Sequence, residues 1–149
     1  MECKMDDKGK QNCPQTKDVG LLVLRLVVGF FMLTHGWAKL SRFGEMSQNF
    51  PPMLGLSSSV ALSMIIFAEF FCSIALILGL FTRLATIPLI IGMSVAAFIA
   101  HAGQPFNARE LPLLYLGVYL VILLAGPGKI AIDNILYKRI CPHGRQKVN

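Results

Sequence analysis

Residues 21–40, LLVLRLVVGFFMLTHGWAKL, decide the fold: the stretch is apolar throughout yet carries Arg25, His35 and Lys39. About 20 mostly apolar residues match a hydrocarbon core of roughly 30 Å. An ionisable side chain near the centre of such a span costs at least ~2.5 kcal/mol. Arg25, His35 and Lys39 therefore require partner helices or a polar cavity, which the rest of the chain must supply.

Composition agrees with a membrane location. The 149 residues are 54% hydrophobic and the mean hydropathy is +0.60, too apolar for an ordinary soluble domain. The formal net charge of +6 is not a nucleic-acid footprint, because the basic residues crowd the two ends beside apolar spans. Residues 1–20 read as a disordered polar cytoplasmic tail without the apolar segment of a signal peptide, 21–137 as one membrane domain, and 138–149 as a basic cytoplasmic tail. Cys3, Cys13, Cys141 and His143 form no CxxC pair, so no metal site is expected and the cysteines read as free thiols in a reducing compartment.

Working outward from 21–40, apolar stretches follow at 60–80, 84–100 and 111–125, which predicts four transmembrane helices. Lys4, Lys8, Lys10, Lys17, Arg83, Lys129, Lys138, Arg139, Arg145 and Lys147 fall on one side of these spans, against Lys39, Arg42 and Arg109 on the other. That asymmetry predicts both termini in the cytoplasm, and a bacterial inner membrane is the expected location. Phe43, Met46 and Phe50 fit one side of a short interfacial helix, although an irregular loop fits this segment equally well. Gly92, Ala96 and Ala100 suggest close packing of the third span. Asn107 and Glu110 have capping-box spacing, while Pro112 offers a competing helix start. The segment KIAIDNILYKR at 129–139 suits an amphipathic helix on the membrane surface. The expected fold is an all-α four-transmembrane-helix bundle with a C-terminal amphipathic surface helix.

The polarity inside the spans is arranged. On a helix turning about 100° per residue, Arg25, Gly29, Met32, Gly36 and Lys39 share one face of the first span, with His35 at its margin. Gly36 on that face admits a neighbouring helix or a ligand close to the backbone. Glu69 falls near the centre of the second span, the most costly depth for a carboxylate. Arg25 is its expected partner, because a guanidinium keeps its proton and must be neutralised. His35, Lys39, His101 and Glu110 all map to the opposite end from the termini and are expected to form a polar mouth suited to a quinone head group or small polar ligand. Glu69, Arg25 and His35 are the candidate catalytic residues, and Gly36, Lys39, His101 and Glu110 the candidate ligand-binding ones.

The patterns R-x9-HGWAKL from Arg25, E-x9-G-x3-R from Glu69, and H-x8-E from His101 followed by G-x-G-x4-D from Gly126 resemble the DoxX family of small membrane proteins. The resemblance covers roughly residues 19–137. It implies that Gly79, Arg83, Gly126, Gly128 and Asp133 belong to the family's structural motif; Pro127 stiffens that motif here. DoxD-type relatives belong to a thiosulfate:quinone oxidoreductase, and other members are linked with thiol or oxidative stress. The resemblance thus implies a subunit of a quinone-linked membrane oxidoreductase, with quinone as cofactor and a soluble redox subunit as partner; a homo-oligomer is a further expectation. A noncatalytic membrane scaffold for a redox partner, or a small-molecule or proton carrier, are the alternatives.

Overall fold

The computed structural model describes residues 4–5, 11–12, 16–50 and 55–133. Lys4–Met5 (β1) pairs antiparallel with Gln11–Asn12 (β2). The four long helices are α1 (Thr16–Ser41), α3 (Ser58–Leu78), α4 (Thr82–Ala100) and α5 (Phe106–Ala125), each long and apolar enough to cross a membrane. Between α1 and α3 lies the short helix α2 (Phe43–Asn49): of the two expectations for this segment the helix holds for Phe43 and Met46, while Phe50 lies past its end in extended conformation. α1 starts five residues earlier than its apolar stretch, because Asp18 in its first turn favours the positive end of the helix dipole. α5 begins at Phe106, ahead of both expected starts. No side chain caps it, Pro112 lies inside it, and Glu110 remains exposed. The surface helix expected over 129–139 lies beyond the described residues from 134 onward.

Burial is inverted relative to a soluble bundle. Leu124 is 81% exposed and Phe98 62%, whereas Ser73, Thr82, Thr86 and Tyr119 are fully buried. A bilayer accounts for both halves of that pattern: lipid solvates the apolar rim, and the polar atoms turn inward. Val28, Met32, Leu76, Leu89, Met93 and Ile122 fill the core. α1 packs chiefly on α3, and α4 on α5. The expected close approach at Gly92 does not occur: nothing lies within 4 Å of a Cβ built there. Gly92 instead lines an apolar groove of about 440 Å³ between α3 and α4, together with Met64 and Pro88.

Two spans carry π-helical turns, Phe67–Cys72 in α3 and Ala96–Ala100 at the end of α4. Such turns insert one extra residue into a helix and recur at functional sites. The first contains Glu69, and the second leads into His101.

At the end where α1 and α4 begin and α3 and α5 finish, polar contacts tie the chain into a collar. The Asp133 carboxylate accepts the Phe81 N–H at 2.6 Å and the Thr82 N–H at 2.8 Å, capping α4. The Asp133 N–H donates to the Gly79 carbonyl at 2.9 Å. Asp18 Oδ1 accepts the Lys129 N–H at 3.0 Å. Phe81 sits at φ 47, a left-handed conformation that the Asp133 cap holds in place. Asp133→Ala is therefore expected to lower stability by about 1–2 kcal/mol, the typical cost of losing a cap, as measured by unfolding in detergent.

Candidate functional site

The face of α1 that carries Arg25, Gly29, Met32 and Gly36 is buried, as its helical spacing predicts, and it abuts α3. Contact is closest at Gly36. A Cβ there would stand 2.7 Å from the Phe70 nitrogen and 2.8 Å from the Glu69 carbonyl carbon. Only hydrogen fits between these backbones, so Gly36 fixes the register of α1 against the π turn.

That register overturns the expected partnership of Arg25 with Glu69. With Gly36 level with Glu69, Arg25 lies about 16 Å further along α1, beyond the reach of its side chain. Lys39, one turn from Gly36 on the other side, extends its flexible stem back and forms the ion pair with Glu69 Oε1. Alignment of the two helices by the midpoints of their apolar stretches would bring Arg25 within reach of Glu69. Backbone contact at Gly36 sets a different alignment.

Arg25, 1% exposed, serves the collar instead. Its Nε donates to the Leu76 carbonyl at 3.2 Å and its Nη1 to the Pro127 carbonyl. Gly79, at φ 70, leaves space for this guanidinium: a Cβ there would meet Arg25 Nη2 at 2.5 Å and Ala131 Cβ at 2.9 Å. The Arg83 guanidinium lies against Gly126, and Gly128 packs beside Leu21. Arg25, Gly79, Arg83, Gly126, Gly128 and Asp133 thus gather at one end of the bundle, where they join its helix ends.

The second polar layer lies deeper. Glu69 is 4% exposed, and its Oε2 has no protein partner. The carboxylate's field reaches the phenols of Tyr115 and Tyr119 on α5. These rings stack with centroids 6.0 Å apart, and the His35 ring meets Tyr115 edge-on at 6.4 Å. Trp37 lies over Phe70, 6.0 Å between centroids, at the rim of the same layer. The layer therefore combines an ammonium, a carboxylate with a free oxygen, an imidazole at the exposed edge and two phenols. It is suited to orienting a polar head group and passing it a proton.

The expected mouth of four residues is not assembled. Lys39 turns inward to Glu69, while His101 places Nδ1 2.7 Å from the Ala96 carbonyl. The His101 carbonyl accepts from Arg109 Nε at 2.9 Å, and Glu110 points into the surroundings. No hydrogen bond or ion pair joins His35, Lys39, His101 and Glu110 to one another among the described residues. The sequence patterns singled out none of Tyr115, Tyr119 and Ser73; the two tyrosines, four residues apart, could have been found. Their spacing of one helical turn in an otherwise apolar span is the signal that marks both tyrosines on one face.

A family model, DoxX, matches residues 20–102. An uncharacterized protein of Haemophilus influenzae is 36% identical over 129 residues, covering 80% of this chain and 92% of that protein. The inner membrane protein YqjF of Escherichia coli is 27% identical over 127 residues, covering 83% and 96% respectively. No solved structure matches.

Proposed function

This chain belongs to the DoxX family of multi-pass membrane proteins, and from that premise we propose that it is a quinone-binding subunit of an inner-membrane oxidoreductase. The inner membrane follows from the similarity to YqjF, and both termini lie in the cytoplasm by the distribution of basic residues. The observation that carries the reading is Glu69 Oε2, a buried carboxylate oxygen without a partner beside the Lys39 ammonium.

These groups fit a quinone. When bound, a quinone supplies two-electron chemistry coupled to two protons, with electrons delivered by a soluble redox partner on the cytoplasmic side. Lys39 has three N–H donors and spends one on Glu69, leaving others for a ring oxygen. Glu69 Oε2 accepts from a hydroxyl, and the stacked Tyr115 and Tyr119 rings supply an aromatic surface in the same layer. His35, at the exposed margin and edge-on to Tyr115, offers an imidazole that can exchange protons at the edge of the site.

Trp37 is the only tryptophan and sits at this layer, so its fluorescence reports occupancy. A short-tailed quinone added to the protein in nanodiscs is expected to quench Trp37 saturably. Glu69→Gln is expected to weaken that binding about tenfold, the loss of one charge-assisted hydrogen bond. Unsaturable quenching that is equal in both proteins would count against the proposal.

A further inference from the structure

Among the described residues, buried side-chain atoms without a protein partner are Glu69 Oε2, Ser73 Oγ, Tyr119 Oη, Thr82 Oγ1 and Asp18 Oδ2. Their placement is one-sided. Measured along the helix axes toward the collar, Glu69 stands roughly 14 Å from the end of α3, Ser73 roughly 8 Å, and Tyr119 roughly 9 Å from the end of α5. Thr82 and Asp18 are in the first turns of α4 and α1, within the collar itself. The half of the bundle beyond Glu69 contributes no such atom among the described residues.

Buried polar groups in membrane proteins are satisfied by protein or by ordered water. Leaving five bare would cost as much as the whole net stability of a domain. Each of these atoms can accept a hydrogen bond, and the three hydroxyls can also donate one, which is what a water molecule with two to four partners requires. Thr86 lies on the same course, its hydroxyl bonded to the Thr82 carbonyl at 2.8 Å.

We propose that these atoms line a one-sided internal water file that carries protons between Glu69 and the collar end of the bundle. The inference rests on the Glu69 site described above and adds the route by which its carboxyl group exchanges protons. A proton moves along the file from water to water, and Glu69 changes only between carboxylate and carboxyl; no bond to carbon forms or breaks. Glu69 is paired with Lys39 from α1, and Tyr115 and Tyr119 from α5 lie within electrostatic range of it. α4 has no charged residue beyond Arg83 up to Ala100. Ser73 and Tyr119 are positioning residues that hold water against the carboxylate.

The test is infrared spectroscopy of the full chain in nanodiscs after a rapid jump from neutral to acid pH. The carboxyl band of Glu69 is identified by its loss in Glu69→Gln. Ser73→Ala and Tyr119→Phe, which keep nearly the same shape, are expected to slow its rise at least tenfold. Ser94→Ala, which removes a hydroxyl from the other half of α4, should leave the rate as in the wild type. A Glu69 band that never appears, or one that rises at the wild-type rate in both file variants, would overturn the proposal. Trp37 quenching by quinone is a separate readout. Slow protonation in the file variants without quenching in the wild type would support the file and count against the quinone reading alone.

Discussion

Lys39→Met is expected to destabilise the bundle by about 3 kcal/mol, with most of that recovered when Glu69→Gln is added. Breaking a buried ion pair costs about 3–5 kcal/mol, because one charge is left in low dielectric without its counterion. The lower end applies because the Lys39 side chain is 28% exposed while that of Glu69 is 5% exposed. In the double variant neither charge remains, and the amide fits the space of the carboxylate. Denaturant unfolding in mixed micelles of the four proteins measures the coupling directly. Additive losses would mean that the two residues do not act as a pair.

Gly36→Ala is expected to cost about 2–3 kcal/mol and to displace Glu69. The added methyl group meets backbone atoms of Glu69 and Phe70 at under 3 Å, so a helix must move rather than a side chain rotate. Gly92→Ala provides the comparison. It meets nothing within 4 Å and is expected to be neutral or to stabilise by up to about 1 kcal/mol through helix propensity. Thermal unfolding of the two variants separates steric fit at Gly36 from a general effect of replacing glycine. Equal transitions would show that α1 and α3 do not approach closely at residue 36.

Hydropathy made the four spans legible, since lipid imposes length and apolarity on every crossing segment. Helical spacing likewise identified the buried face of α1 from Arg25 to Lys39. What sequence left hidden was the register between helices. Arg25 and Lys39 both lie on the inward face, and periodicity alone cannot say which of them stands level with Glu69. Contact at Gly36 decides it, and close packing across two helices leaves no mark at neighbouring positions in either one. The π turn at Phe67–Cys72 was equally hidden, because a shift of hydrogen bonding from i+4 to i+5 has no compositional signature. Tyr119 was visible as an aromatic residue, but its burial with an unpartnered hydroxyl depends on how α5 packs against α4. The collar residues of the G-x-G-x4-D motif could be recognised as a group. Their work in capping α4 and receiving Arg25 emerged only from their contacts.

The claim that the Lys39–Glu69 layer binds a quinone is tested most directly by native mass spectrometry of the full chain extracted in its own lipids. The wild type is expected to retain a prenylated quinone at defined stoichiometry, and Lys39→Met with Glu69→Gln to lose it while remaining folded. A wild-type protein that carries only phospholipid, or a double variant that retains quinone equally well, would contradict the account.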